Sequence, residues 1–197
     1  MKLIAITGSI GCGKTTIANI LREYNQLVYD VDKWVRFLYY KKDFLAVVEK
    51  NFPEVFIDGV FDKRKLRTLV FNDNKKLKVL EGLIHPFLTR RIKKIIRKNA
   101  KNDNIAFVDV ALLFEMGWDK YFDYIILADV DEKIQKERVM KRDNISEEDF
   151  YKINNIQMPR DEKIKNVDFI INTEGSKNIL KIKVLNTLED IFNYADC

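Results

Sequence analysis

Proline and glycine are scarce in this 197-residue chain, with three and seven copies, and histidine and cysteine scarcer still, with one and two. Each shortage removes a class of protein. Cys12 and Cys197 are too few for a disulfide scaffold, and one histidine without paired cysteines offers no histidine- or cysteine-built metal site. Long apolar runs are lacking too: none approaches the ~18 residues of a membrane span. The opening Met1-Lys2-Leu3-Ile4-Ala5-Ile6 is too short for the apolar core of a secretory leader. The expectation is a soluble protein of a reducing cytoplasm, with no membrane partner. There is no internal repeat and no low-complexity tract. Hydrophobic residues supply 47% and charged residues 33% of the chain, so a sizeable core is available. The length favours one globular domain that carries insertions.

Neither sign of charge is missing. Lys and Arg outnumber Asp and Glu by 35 to 30, a net +5. The densest basic stretch runs from Arg90 to Lys98, where Ile92, Ile95 and Ile96 interleave with charge at helical spacing. That pattern reads as an amphipathic helix with a basic solvated face, and no nucleic-acid partner is expected. The basic field suits small polyanionic ligands instead.

Three of the few glycines fall within six residues. Gly8-Ser9-Ile10-Gly11-Cys12-Gly13-Lys14-Thr15 spells G-x-x-x-x-G-K-T directly after the apolar run Leu3-Ile4-Ala5-Ile6. A phosphate-cradling loop needs a buried strand before it, glycines that let its N–H groups turn inward, and a helix after it. The helix is legible in Ile17, Ile20, Leu21 and Tyr24. Its N-terminus carries unpaired N–H groups and roughly half a positive charge, which suits a polyphosphate. Lys14 would reach the β- and γ-phosphates and the Thr15 hydroxyl would ligate Mg²⁺, with Gly8, Gly11, Cys12, Gly13 and Thr16 completing the nucleotide cradle. Cys12 sits near the helix N-terminus, a setting that lowers a thiol pKa; phosphoryl transfer does not require it, and it reads as a small loop residue.

Further short apolar runs at 27–29, 105–108, 124–128 and 168–171 alternate with helical patterns, which predicts an α/β fold with a five-stranded parallel sheet flanked by helices. The stretch from Asp30 to Ile105 far exceeds the dozen or so residues one crossover needs. Trp34, Phe37 and Leu38, then Leu66, Leu69 and Val70, then Leu77, Leu80, Leu83 and Ile84 fill it with helical spacing. A helical insertion over about 33–100 is expected beside the ligand crevice, and a small polar lid over about 138–163.

Asp30 and Asp32 follow the second run, whose end should face the crevice. Either carboxylate could orient an acceptor hydroxyl and take its proton, or cap the helix expected to begin near Lys33. Asp109 ends the third run, as a Mg²⁺ contact or as a solvated strand-end acid. Arg138 and Arg142, four apart, share one helix face that could clamp a phosphoryl group or could be ordinary charged surface. His85, before Pro86, fits a structural hydrogen-bonder, and Trp34 and Trp118 fit packing. A GTPase reading fails: no glycine has Asp three residues before it, and Asn74-Lys75 is followed by Lys76-Leu77 rather than x-Asp. Large ATP-driven machines need more chain. A small-molecule kinase remains, with a nucleotide-dependent binding protein as the alternative from another class.

At this point the residues resemble the dephospho-CoA kinase family over almost the whole chain. The family's T-G-G-I-G-S-G-K-S loop is matched by Thr7 to Thr15, its D-A-D-x-x-x-R by Asp30-Val31-Asp32 and Arg36, and its L-E-x-I-x-H-P by Leu80 to Pro86. Its P-L-L-F-E looks like Leu112-Leu113-Phe114-Glu115, its Q-x-x-R-x-x-x-R like Gln135, Arg138 and Arg142, and Gln157-Met158, Asp168 to Asn172 and Gly175 complete the order. The resemblance implies transfer of the ATP γ-phosphoryl group to the ribose 3′-hydroxyl of dephospho-CoA, giving coenzyme A, with Mg²⁺ as metal. It implies Asp32 as catalytic base beside Lys14 and Arg138, and Arg36, His85 and Glu115 at the acceptor site. It places Arg138 and Arg142 over ATP in the lid, and Asn172 and Gly175 along adenine. Thr15 and Asp109 are the expected metal contacts. Substrates are the only partners implied, for a monomer or weak homo-oligomer. The sequence departs from the family at Ala111 (Pro in the family), Ser9 (Gly), Cys12 (Ser) and Lys63-Arg64, where one Arg usually follows Asp62. Ser9 therefore needs a φ that is negative or strained.

Overall fold

The computed structural model describes residues 2–99 and 105–195; Cys197 lies outside them. The described chain forms two compact units, one comprising the N-terminal segment to Asp30 and the return from Asn99, the other Val31–Lys98.

The first unit opens with β1 (Lys2–Thr7), the phosphate loop, α1 (Lys14–Glu23) and β2 (Leu27–Asp30). Leu3 to Ile6 are at most 2% exposed, an unbroken apolar run rather than an alternating one, because both faces of a central parallel strand are covered. Burying such side chains contributes about 1.5–3 kcal/mol each, so the strand end that launches the loop is well anchored. One face of α1, Ile17, Ala18, Ile20 and Leu21, is buried. The helix stops at Asn25, whose φ of 59° lets Gln26 N–H bond Leu21 O at 3.0 Å.

The second unit reads α2 (Val31–Leu38), α3 (Lys42–Asn51), β3 (Phe56–Ile57), β4 (Val60–Phe61), α4 (Lys63–Phe71) and α5 (Asn74–Asn99). Phe44, Val48, Phe52, Val55, Leu66, Val70 and Leu80 form its own core. Tyr39 meets Phe44 edge-on and stacks on Phe61, both at 5.4 Å between ring centroids. Besides the helices that the spacing predicts over about 33–100, the unit contains the antiparallel hairpin of β3 and β4. Asp58-Gly59 turns it, with φ of 50° and 77°, the left-handed pair a two-residue hairpin requires. The helix expected from Lys33 starts at Val31, directly off β2.

The chain returns with β5 (Ile105–Asp109), β6 (Tyr124–Asp129), α6 (Glu132–Asp143), α7 (Glu147–Asn154), α8 (Arg160–Ile164), β7 (Phe169–Asn172) and α9 (Lys177–Ala195). The five strands of this unit form one sheet in the order β2-β5-β1-β6-β7, every pairing parallel. The α/β expectation therefore holds, with each expected strand present and the last one shifted by one residue. Leu180, Val184, Leu188 and Ile191 of α9 join the residues of α1 in one core over the sheet. Trp118 is 2% exposed and Trp34 6%, packing residues as expected. No described helix is long and apolar enough to cross a membrane.

Candidate active site at the carboxyl ends of the strands

β1 ends in the middle of the sheet, so the loop after it opens where ligands of parallel α/β sheets bind. Gly8, Gly11 and Gly13 have φ of 146°, 79° and 86°. A Cβ on Gly8 would lie 2.5 Å from the Ala128 carbonyl oxygen, and one on Gly11 would lie 2.4 Å from Val139 Cγ2. Only glycine fits either place. Gly13 starts α1 in the left-handed conformation, and neither a side-chain cap nor an acidic residue in the first turn neutralises that helix end. The amides there point at a site that favours an anion. Thr15 is exposed and Thr16 half-buried, with Thr16 N–H on Gly13 O at 2.9 Å.

Lys14 folds back across the loop, its Nζ donating to Gly8 O at 2.6 Å and Ser9 O at 3.1 Å. Ser9 stands where the resemblance has glycine, and its φ is not positive. Cys12 is 4% exposed, and here the sequence expectation is corrected. Burial, which outweighs the Lys14 charge and the backbone hydrogen bond from Ser9, pushes its thiol pKa up rather than down.

Register places Asp109 of β5 opposite both Ile6 of β1 and Asp30 of β2. Two strand-end acids thus lie side by side, one residue from the start of the loop. Glu115, in the turns after β5, accepts Met158 N–H at 2.5 Å. Asp32, Arg36 and His85 belong to the second unit. Asp32 is exposed in the first turn of α2, where a negative charge suits the helix end, and Arg36 is exposed one turn on. His85 is half-buried on α5.

The segment from α6 to β7 is stitched onto the loop. Gln135 Nε2 donates to Ile10 O at 2.7 Å, and Ile10 N–H donates to Gln157 Oε1 at 2.8 Å. Arg138 grips Thr173 through its hydroxyl at 3.1 Å and its carbonyl at 3.0 Å, and that hydroxyl donates to Cys12 O at 3.0 Å. Arg142 behaves differently. It is exposed and bonds the neighbouring Asp143 in bidentate fashion, away from these contacts. Asn172 Oδ1 accepts Glu174 N–H at 2.9 Å, ahead of Gly175 with φ 93°.

A cavity of about 760 Å³ opens among these parts, lined in part by Ser9, Asp129, Gln135, Gln157, Arg160 and Asn172. Asp129, 6% exposed at the end of β6, is held by the Arg160 guanidinium at 2.6 and 2.7 Å. Sequence reasoning assigned nothing to Asp129, Arg160, Lys163 or Thr173. Asp129 was findable, because it ends an apolar run just as Asp109 does. The others carry no local signal.

The sequence profile of the family described as Dephospho-CoA kinase matches residues 2–178. Among curated proteins the chain is similar to dephospho-CoA kinases of Bartonella henselae, 38% identical over 97% of this chain and 98% of that one, and of Aquifex aeolicus, 39% identical over 89% and 90%. Among solved structures, one from Thermus thermophilus has a TM-score of 0.82 at 30% identity, covering 98% of this chain and 97% of that one. Dephospho-CoA kinase from Campylobacter jejuni follows at 0.73 and 26%, covering 97% and 98%. A shikimate kinase from Acinetobacter baumannii, at 0.56 and 14% over 98% and 94%, shares the fold alone. A profile that spans nearly the whole chain, over the phosphate loop and the strand-end acids alike, leaves one conclusion: the chain belongs to the dephospho-CoA kinase family.

Proposed function

We propose that this protein transfers the γ-phosphoryl group of ATP to the ribose 3′-hydroxyl of dephospho-CoA, forming coenzyme A in the cytoplasm. The observation that carries this reading is the loop of three positive-φ glycines on an uncapped helix start, within a chain that one kinase family matches over residues 2–178. Gly8 to Thr16 would hold the polyphosphate through backbone amides, with Lys14 turning from the loop carbonyls to the phosphates. The cavity beside the loop includes Asp129, Asp131, Glu132, Asp161 and Glu174 among its walls. Such an acidic lining suits the uncharged nucleoside end of ATP, with Asn172 and Gly175 along the base.

Thr15 and Asp109, with Asp30 beside it, offer only hard oxygen donors, a set that fits Mg²⁺. An ion held there would neutralise charge developing on the phosphate oxygens. Asp32, two residues beyond β2, takes the acceptor proton, while Arg36, His85 and Glu115 serve the acceptor. Lys14 and Arg138 offset charge on the migrating phosphoryl group, and Arg142 reaches ATP only by leaving Asp143. The lid of 138–163 keeps water from competing with the alcohol.

An ADP-release assay across acceptors tests the reading. Turnover with dephospho-CoA, and none with nucleoside monophosphates or shikimate, is expected. Turnover with one of the other acceptors alone, or tight ATP binding without any turnover, would overturn it.

A further inference from the structure

Two lysine ammonium groups converge on one residue of the phosphate loop. Lys14 Nζ lies 3.1 Å from the Ser9 carbonyl oxygen, and Lys163 Nζ lies 3.1 Å from the Ser9 hydroxyl. Lys163 comes from α8 and is 1% exposed. Its ammonium has three donors, yet among the described residues its side chain bonds only that hydroxyl, a neutral acceptor. No carboxylate of the described residues stands within ion-pair distance. Burial drives the Lys163 pKa down, Glu115 restores part of it, and Lys14 lowers it further. A buried cation without a counter-ion is destabilising, and here it faces a loop shaped for an anion, beside a cavity that Ser9 helps to line.

We propose that Lys163 is a second phosphate-binding lysine, brought to the loop by α8, whose two remaining donors are taken by the polyphosphate of the bound nucleotide. The inference rests on the nucleotide reading above, since polyphosphate is the anion it invokes. It makes the docking of α8 and the binding of polyphosphate mutually supporting, and it gives the segment a reason to carry a lysine where an apolar residue would pack at lower cost.

The test uses Lys163→Met and Lys163→Gln, the second able to keep a bond to Ser9. Without nucleotide, both should melt at or above the wild-type temperature, because an uncompensated buried charge has been removed. By calorimetry, ATP affinity should fall at least ~10-fold, as expected for a lost charge-assisted contact, while AMP affinity falls much less. A folded variant that binds ATP like the wild type overturns the inference, and so does an equal loss for ATP and AMP. If neither variant folds, Lys163 is a structural tether and the inference fails. Wild-type protein that binds no ATP would strike the nucleotide reading itself; binding by wild type and variants alike strikes Lys163 alone.

Discussion

Gly8 and Gly59 share a positive φ but not a neighbourhood. A Cβ at Gly8 meets a backbone carbonyl of β6 at 2.5 Å, whereas one at Gly59 meets nothing within 4 Å. Gly59→Ala should therefore lose only the left-handed penalty, about 1 kcal/mol, and keep nucleotide binding. Gly8→Ala adds a clash with backbone that cannot step aside, and should lose more than about 2 kcal/mol together with nucleotide affinity. Urea denaturation and ATP titration of both variants check this; equal losses would mean that the close approach to Ala128 is not what fixes the glycine. Cys12 illustrates the limits of reading a residue from its neighbours in sequence. Its position beside a helix start was visible, but its burial was not, and burial decides the direction of its pKa. Its raised value also sets a pH dependence: the folded state keeps the proton longer, so this contribution to stability is present below the unfolded pKa of roughly 8.5 and is lost as pH rises through the folded one.

Elements with strong local chemistry could be read from the sequence. β1, β5 and β6 are buried on both faces and announce themselves as apolar runs. The hairpin of β3 and β4 is only two residues deep on each side, too short for periodicity, although Asp58-Gly59 was a usable turn signal. The face of α9 was also there to be read in Leu180, Val184 and Leu188. The stitching of the loop was not. Ile10 and Gln157 are 147 positions apart, and Ser9 and Lys163 are 154 apart, so no local rule links them. The departure from the family pattern at Lys63-Arg64 leaves the start of α4 capped by Asp62. Its carboxylate caps α4, accepting Arg64 N–H at 2.8 Å and Lys65 N–H at 3.0 Å, so the helix start does not depend on the side chains of Lys63 or Arg64. Asp62→Ala should destabilise the second unit by about 1 kcal/mol, read as a lower melting temperature; an unchanged melt would mean the cap contributes nothing.

Across the whole molecule, the proposed roles divide between two compact units. Every residue assigned to ATP or the metal belongs to the unit built on the parallel sheet, and Asp32, Arg36 and His85 belong to Val31–Lys98. The long interval between Asp30 and Ile105 is visible in the sequence as far more chain than one crossover needs. The proposed roles converge on a single chemical event. The most direct measurement of that event supplies ATP labelled with heavy oxygen in its γ-phosphoryl group, together with Mg²⁺ and dephospho-CoA, and follows the label by mass spectrometry and phosphorus NMR. Transfer predicts that the label appears in the phosphate newly esterified to the ribose 3′-oxygen, in step with ADP, and that Asp32→Asn slows the transfer at least ~10²-fold. Label found only in inorganic phosphate, with dephospho-CoA unchanged, would contradict it.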